Sequence, residues 1–412
     1  MHDHSHDHHS HDHHSHDHHS HDHHSHDDHT PATRRHETRR GFFASLLGTW
    51  AGATLVELSA VRATVARAQS AKAPRELFDI QKVDEGVFSA VARPAAMTNC
   101  NATIFESARH LVVADTHSKP SAAAALIAQL RQEVSRKPVR YIVNTHFHWD
   151  HAQGGAAYQK AFPQLDFISS VPTKRLIAGE TEKRIKLQIE NNVPQFIEEA
   201  EKKRRDASSS AERDFYDDQI QQLKAYAEEM KYFSLVLPTI TFEKSFVIRD
   251  GDDELALSFH GRGHTGGDVM IYSARKKLIA TGDLIHGFFP YIGDGYPKEW
   301  PSTIGSVAKL GFDRLLPGHG PVQSDRRRLS NFRGYLEELT ERVAVGKNSG
   351  KGLAELQGSI AAASLKSIAA DGYGEFLITN NKKYRPMFGD PPPLQDYINV
   401  NIEQIFQNLD RV

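Results

Sequence analysis

Four side chains that can bind a metal ion fall within six consecutive positions, at His146, His148, Asp150 and His151. They directly follow the apolar stretch 139–143, which has the composition of a β-strand. Two residues turn a helix by about 200°, so His146 and His148 cannot share a helix face, whereas extended or irregular backbone lets both reach one ion. The spacing therefore predicts a metal-binding loop at the end of a strand.

Three more residues of the same chemical kinds follow at His264, Asp283 and His319, each of them after a short apolar run. Beyond residue 36 the chain contains nine histidines, and five of them belong to this set. Binding and catalytic residues are concentrated on loops that a rigid scaffold positions. The distribution predicts one metal site gathered from several strand ends, rather than scattered surface histidines.

Taken in order, the pattern His-x-His-x-Asp-His, an isolated His, an Asp and a final His resembles the metallo-β-lactamase superfamily over roughly residues 77–322. The resemblance implies an α/β fold, a four-layer αβ/βα sandwich, in a metal-dependent hydrolase with two Zn²⁺ ions per chain. It also implies the role of each ligand. One ion would take His146, His148 and His264, the other would take Asp150, His151 and His319, and Asp283 would bridge them.

The chemistry that these ligands imply is hydrolysis. An ion held by three histidines keeps a fourth position for water, which is typical of catalytic zinc sites. Metal binding lowers the pKa of water from about 15.7 to near 7, so a hydroxide shared by the two ions would be the nucleophile. Asp150 is the expected catalytic residue, able to orient that hydroxide or pass on its proton. Iron, manganese and cobalt are alternatives to zinc.

Asp115 ends an apolar run and matches the first motif of the family. The resemblance implies that its carboxylate supports the metal loop without touching an ion. A plain strand-end or helix-capping Asp is the alternative interpretation of the same residue.

The bond that is cleaved depends on two departures from the zinc β-lactamases that use a single metal-binding Cys. Those enzymes carry the Cys where this chain has Asp283 and a Lys where it has His286, so the chain looks more like glyoxalase II, lactonases and related esterases. The prediction is cleavage of an ester, lactone, thioester or amide-type bond. The stretch 293–302 resembles the region after the substrate loop of β-lactamases, which keeps a periplasmic β-lactamase as an alternative.

Candidate substrate contacts lie near the predicted ligands. His286 and Lys298 could anchor a substrate carboxylate, although a residue at the rim of the site is the favoured interpretation of each. Trp149, Phe147 and Tyr291 could line an apolar pocket, and packing around the metal loop is the alternative. Two other classes are a flavodiiron-like oxidoreductase and a non-catalytic zinc-binding protein. A motif His replaced by Glu would favour the first and a lost ligand the second, and the sequence shows neither change.

The composition is that of a globular protein, with 39% hydrophobic and 25% charged residues among 412. After residue 68 the chain has 44 basic and 43 acidic residues, so its charge gives no reason to expect binding to nucleic acid or to an anionic membrane. Cys100 is the single cysteine, which excludes an intrachain disulfide and predicts that His and carboxylate groups hold any metal.

The start of the chain has the features of a targeting segment. Residues 1–30 form a low-complexity tract with sixteen histidines, in which the unit His-Asp-His-His-Ser occurs four times in succession. Such polar sequence is expected to stay disordered, and it would be either a zinc or nickel buffer or a passive solvated tail. Residues 31–73, with Arg39 and Arg40 before a moderately apolar stretch and A-x-A sites, resemble a twin-arginine signal peptide.

Export by the twin-arginine machinery would deliver a folded, metal-loaded enzyme to the periplasm, with no stable membrane insertion after cleavage. A membrane anchor is the alternative. Glu57 and several Gly, Thr and Ser residues make residues 41–61 more polar than a typical transmembrane helix.

The rest of the chain divides into a catalytic domain, 74–324, and a helical extension, 325–412. A charge-rich amphipathic stretch at 172–232 predicts a helical insertion in the domain, either a solvated flap or a lid or dimer surface beside the site. The dimer interpretation would make the protein a homo-oligomer.

Hydrophobic periodicity also predicts the individual elements. Strands are predicted at 77–83, 86–92, 101–106, 110–115, 139–143, 245–248, 254–260, 268–273 and 277–280, and helices at 121–135, 325–345 and 394–409.

Overall fold

The structure is a computed structural model that describes residues 76–384 and 392–411. The predicted histidine tract and twin-arginine signal lie outside these residues. Among the helices that are described, none is both long and apolar enough to span a membrane.

The first of two β-sheets has seven strands in chain order. Strands β1 to β4 run antiparallel to their neighbours, and β4 to β7 run parallel. Its inner strands are almost continuously buried, as expected for a sheet that is covered on both faces. The strands are β1 Phe78–Asp84, β2 Val87–Ala92, β3 Ala102–Glu106, β4 Leu111–Ala114, β5 Val139–Val143, β6 Asp166–Ser170 and β7 Ile240–Phe242.

The second sheet has five strands in the order β12-β11-β10-β9-β8. Strands β8 to β11 form an antiparallel meander, and β12 lies parallel to β11. Side chains of both sheets, among them Val112, Leu257 and Ile271, form one apolar core between the sheets. The strands are β8 Ser245–Asp250, β9 Asp253–Phe259, β10 Val269–Ser273, β11 Leu278–Gly282 and β12 Arg314–Pro317.

Helices cover the outer face of the first sheet. Helix α1 (Pro120–Glu133) buries Leu126 and Leu130 against the sheet because these positions share one side of the helix. The short helix α2 (Trp149–Ala152) leads into α3 (Gly155–Ala161), whose Tyr158 joins the same core.

The predicted insertion contains three helices. They are α4 (Val171–Leu187), α5 (Val193–Asp206) and α6 (Ser210–Met230), with a π-helical turn between the first two. Helices α5 and α6 share a small apolar core with Ile185 of α4 and with Ala96 and Met97, and Trp149 of α2 packs against that core. The insertion therefore contacts the element that follows the predicted metal loop.

The C-terminal extension covers the outer face of the second sheet. Trp300 and Leu336 lie in one core with Met270 and Ile279 of the sheet, so the layer order is helix, sheet, sheet, helix. This confirms the predicted four-layer αβ/βα sandwich with a helical extension. The helices on this face are α7 Trp300–Val307, which precedes the extension, and, within the extension, α8 Arg326–Asn348, α9 Leu353–Ser359, α10 Lys366–Ala369, α11 Tyr373–Tyr384 and α12 Leu394–Asn408. The predicted helices 325–345 and 394–409 correspond to α8 and α12, whereas the sequence analysis does not predict α7 or α9 to α11.

The extension also holds the loop that follows β11. The side-chain amide of Asn401 in α12 donates to the carbonyl of Pro290 at 2.9 Å, and that of Asn380 in α11 donates to the carbonyl of Gly287 at 2.8 Å. Both asparagines are buried, so these bonds fix the loop without competition from water.

Candidate metal centre

The loop after β5 brings three histidines together. His148 has extended backbone (φ −63°, ψ 151°) and directly precedes α2, so the chain turns into a helix immediately after the H-x-H pair. The ring centroids of His146 and His148 are 4.8 Å apart, and those of His146 and His151 are 4.1 Å apart. Extended backbone therefore brings His146 and His148 together, and the helical turn that follows adds His151 to them.

Asp115 holds this loop from the end of β4. Its Oδ1 accepts a hydrogen bond from the backbone N–H of Thr145 at 2.7 Å, and its Oδ2 accepts one from the Thr145 hydroxyl at 2.8 Å. Oδ2 also lies 2.7 Å from Nδ1 of His151. A carboxylate at Nδ1 fixes the orientation of the ring and leaves Nε2 of His151 for an ion.

The second sheet supplies the other predicted ligands, each on a loop that leaves a strand. His264 follows β9, and its Nε2 lies 2.8 Å from Nδ1 of His148. His319 follows β12, and its Nε2 lies 3.2 Å from Nε2 of His151 and 2.9 Å from Oδ2 of Asp150. The structure thus gathers the two triplets named from the sequence, and in each of them the ligand atoms lie within 4.8 Å of one another.

Asp283 follows β11 and occupies the space between the two triplets. Its Oδ2 is 3.7 Å from Nε2 of His264 and 4.0 Å from Nε2 of His146 in one triplet. The same oxygen is 3.4 Å from Nε2 of both His151 and His319 in the other. One carboxylate is therefore within reach of both candidate metal positions.

The spacing of the donor atoms, and the lack of hydrogen-bond partners for two of them, fit bound metal ions. Zinc–nitrogen bonds of 2.0–2.1 Å in tetrahedral geometry place two ligand nitrogens roughly 3.3 Å apart, close to the spacing of the facing imidazole nitrogens. Nε2 of His146 and Oδ1 of Asp283 are buried and have no hydrogen-bond partner. Buried polar atoms without partners are uncommon, so the cluster fits bound cations.

Electrostatics divides the histidines into two kinds. Burial lowers the pKa of His146 and of His264 well below the usual 6.5, so both rings are neutral and can offer a lone pair. Burial also lowers the pKa of His151, but the carboxylates around it, Asp283 first, outweigh burial and hold its pKa well above 6.5. In the metal-free protein, the proton on His151 supplies the positive charge that a metal cation would otherwise place beside these carboxylates.

The two predicted ligand carboxylates, Asp283 and Asp150, are ionised. Burial raises the pKa of Asp283 and of Asp150, but the neighbouring imidazoles outweigh it, so that the pKa of Asp283 is well below 3.8 and that of Asp150 is also lowered. Cys100 lies next to this cluster, with ligand atoms of Asp115 and His151 within 4.8 Å. Burial raises the pKa of the Cys100 thiol to about 12, so the thiol is protonated in the metal-free protein.

Two of the five candidate substrate residues lie at the cluster. His286 is buried, and its Nε2 is 3.8 Å from Oδ2 of Asp283, so it stands among the ligands. The ring of Tyr291 lies edge-on to His148, with centroids 5.6 Å apart. Phe147, between the two histidines of the motif, is buried.

Two more of these candidates have partners elsewhere. Trp149 packs edge-on to Tyr226 of α6, with ring centroids 6.2 Å apart, within the core of the insertion. Lys298 is exposed, and its Nζ lies 3.2 Å from Oδ1 of Asp410 near the C-terminus. The structure therefore does not bring Lys298 to the predicted metal ligands.

One residue without an assigned role in the sequence, Asp294, contacts a predicted ligand, and a second, Arg184, holds Asp294. Asp294 lies 3.0 Å from Nε2 of His148, and Arg184 of α4 donates to both oxygens of Asp294. Neither belongs to a metal-binding motif. In the sequence, Asp294 stands out only as an aspartate between two glycines. Arg184 is one of several basic residues in a charge-rich helix.

A family model described as the metallo-beta-lactamase superfamily matches residues 96–319, just over half of the chain. A metallo-beta-lactamase from Pontibacter korlensis is 19% identical, with a TM-score of 0.45 over 63% of this chain and 99% of that chain. A stereoselective inverting sec-alkylsulfatase from Pseudomonas sp. is 18% identical, with a TM-score of 0.54 over 80% of this chain and 50% of that chain. At 18% identity the likeness to the alkylsulfatase speaks for the fold alone.

Proposed function

The chain belongs to the metallo-β-lactamase superfamily and is a metal-dependent hydrolase, and from this premise we propose that it holds two zinc ions and cleaves an ester, lactone, thioester or amide-type bond of a small molecule. The position of Asp283 carries the proposal. Its carboxylate reaches both triplets of ligand atoms, and a bridging carboxylate is what a pair of cations needs to lie close together.

The residues present fit zinc. Three imidazoles form one set, and two imidazoles with one carboxylate form the other, which is a nitrogen and oxygen donor set of the softness that zinc prefers. When bound, the two ions would supply Lewis acidity and a water of lowered pKa.

Asp150 is the proposed general base. Its carboxylate is ionised, and its Oδ2 is fixed 2.9 Å from Nε2 of His319. A fixed, ionised carboxylate beside the ligands can orient the attacking water and accept its proton, and later return that proton to the leaving group. Neutral His146 and His264 add no positive charge of their own, so the charge that polarises the substrate would come from the ions.

Two positions favour ester-type bonds over β-lactams. Asp283 and His286 stand where zinc β-lactamases of the resembled type carry Cys and Lys, and His286 is buried among the ligands instead of reaching out as a flexible cation. In the stretch that resembles β-lactamases, Asp294 is bonded to His148 and Arg184, and Lys298 is paired with Asp410. These internal contacts support a structural part for that stretch.

The test is a hydrolysis panel with the metal content measured on the same samples. We define the reference chain as the full-length protein in which the sixteen histidines of residues 1–30 are replaced by asparagine, so that only the folded part holds metal. The panel contains carboxylic esters, lactones, thioesters, β-lactams and phosphodiesters, together with secondary alkyl sulfates because of the alkylsulfatase likeness.

We expect about two zinc ions per reference chain and turnover of an ester, lactone or thioester that stops on metal removal and returns with zinc. Two bound ions with no turnover on any arm would favour a non-catalytic zinc-binding protein. Preferred turnover of β-lactams would favour the β-lactamase alternative, and fewer than one ion in folded protein would refute the site.

We also propose that residues 31–73 direct export of the folded enzyme to the periplasm, on the basis of Arg39-Arg40, the apolar stretch and the A-x-A sites. The histidine tract of residues 1–30 would then act before export, as a store of zinc for the folding enzyme.

A further inference from the structure

The ring of His148 divides its two nitrogens between different partners. Nδ1 lies 2.8 Å from Nε2 of His264, on the side of the candidate metal position that also takes His146. Nε2 points the other way and lies 3.0 Å from Oδ2 of Asp294. A carboxylate at Nε2 requires the proton to sit there, and this leaves the Nδ1 lone pair for a metal ion.

Asp294 is itself held by a cation from the insertion. Arg184 of α4 donates through Nη1 to Oδ2 at 2.7 Å and through Nη2 to Oδ1 at 2.8 Å, a two-pronged pair in which both atoms of the fork are used. Asp294 is buried, so its charge needs this partner. The guanidinium of Arg184 also stacks on the ring of Phe147, 4.6 Å from its centroid, directly beside His148 in sequence.

Helix α4 is fixed at its start to the other ligand loop. The hydroxyls of Ser170 and Thr173 both donate to the carbonyl of Gly267, at 2.6 Å and 2.7 Å. Gly267 lies three residues after His264, and a Cβ atom there would come within 2.6 Å of the Thr173 backbone nitrogen, so the contact is close. One helix of the insertion therefore touches the loops that carry His148 and His264.

We propose that Arg184 is a positioning residue for the three-histidine metal set: through Asp294 it fixes the ring of His148 so that Nδ1 faces the ion. The inference rests on the proposed two-metal site and deepens it, because it gives a residue of the insertion a role in orienting one ligand of the three-histidine set. Without Arg184, Asp294 loses the partner that orients it, and the ring of His148 can turn. The Asp150, His151 and His319 set has Asp115 as its support and does not depend on Arg184.

The experiment separates the two sets in the reference chain and uses Co²⁺ alone as the probe, with affinity read from visible absorption. His319→Ala disables the second set and reports the three-histidine set, whereas His264→Ala does the reverse. Arg184→Gln is introduced into each background. The matched control is Lys183→Gln, the preceding residue of α4, which is exposed and has a Glu180 oxygen 3.5 Å away as its partner.

Arg184→Gln should weaken Co²⁺ binding about 10- to 100-fold in the His319→Ala background and leave it unchanged in the His264→Ala background. Arg184→Lys should weaken it less than Arg184→Gln, because it keeps the charge with a single donor. Lys183→Gln should change neither background.

Equal weakening of both sets would overturn the proposal, since it would report a loosened fold, and so would unchanged affinity in both. If Arg184→Gln does not fold, Arg184→Lys is judged by the same criterion of selective loss. A reference chain that binds no Co²⁺ at all would instead count against the proposed function, and the two failures are thereby distinguished.

Discussion

Gly318 leaves the space that the carboxylate of Asp283 occupies. A Cβ atom at position 318 would overlap Oδ1 of Asp283 and would come within 2.8 Å of Cε1 of His151. The backbone of Gly318 is held in place from both sides, because its N–H donates to the carbonyl of Gly282 at 2.8 Å and its carbonyl accepts from Asn101 at 2.7 Å. Because these two hydrogen bonds fix the backbone of Gly318, an added methyl group would have to push the Asp283 carboxylate aside.

Gly318→Ala should therefore displace the carboxylate of Asp283 and cost at least about 10-fold in activity and metal retention, while the fold is kept. Zinc content and turnover of the reference chain with and without the substitution measure this. Gly334→Ala in α8 is the matched control, since its nearest atom would be 3.6 Å away, an ordinary contact. Equal loss in both variants would contradict the steric argument.

Asp283→Ala should impair hydrolysis more than His286→Ala. The first change removes a charged group that reaches both ligand sets, and the second removes a ring whose Nε2 is 3.8 Å from that group. We expect a loss in kcat/KM of at least about 100-fold for Asp283→Ala and of about 10-fold or less for His286→Ala. Comparable losses would show that the ring of His286 itself binds metal, and full activity of Asp283→Ala would show that the shared carboxylate is unnecessary.

The sequence indicates the parts of the candidate site that depend on local order. His264, Asp283 and His319 each follow a strand, and strand ends that meet at one edge of a sandwich must bring them together. The bond between Arg184 and Asp294 joins residues 110 positions apart, and it depends on the path of an insertion that no local pattern describes. Residue type could not separate this arginine from its neighbours on α4.

The extension shows the same limit. Helices α8 and α12 are long enough for their periodicity to be seen, whereas α9 and α10 have only seven and four residues, too few for a helical period. Asn401 and Asn380 likewise carry no motif, and their bonds to the loop after β11 exist because the extension folds back over the second sheet.

Acid should release metal from the two ligand sets at different pH. In the metal-free chain the pKa of His151 is held well above 6.5, because the surrounding carboxylates outweigh burial, so a metal ion must displace a proton there at neutral pH. Affinity of the His151 set should then fall by about tenfold per pH unit as pH decreases below that raised pKa. Burial lowers the pKa of His146 and His264, so these two rings offer no proton to displace near pH 7.

Co²⁺ titrations between pH 6.5 and 8, in the His264→Ala and His319→Ala reference chains, measure the two slopes. The steeper fall on acidification should appear in the His264→Ala chain, where the His151 set remains. Parallel slopes would show that the carboxylates around His151 do not raise its pKa in the folded chain.

Asn401→Ala should loosen the loop after β11. The substitution removes the donor to the Pro290 carbonyl and the acceptor of the Tyr335 hydroxyl, which are 2.9 Å and 2.7 Å from the Asn401 side chain. Leaving these buried groups unpaired should lower the free energy of unfolding by about 1–3 kcal/mol. Urea unfolding measures this, with Gln407→Ala on the exposed face of the same helix as control; equal stability of the two variants would contradict the prediction.

Replacing Arg39 and Arg40 by Lys should leave an active enzyme in the cytoplasm. The twin arginines would select a folded protein for export, and the metal ligands all lie beyond residue 145, so export and catalysis depend on separate parts of the chain. Deleting residues 2–29 should keep export but lower zinc occupancy when zinc is scarce, since the histidines of the tract would no longer collect the metal. Cell fractionation with a zinc assay reads both variants in the otherwise natural sequence. Normal periplasmic delivery of the double-Lys variant would refute the twin-arginine interpretation, and unchanged occupancy without the tract would reduce the tract to a passive tail.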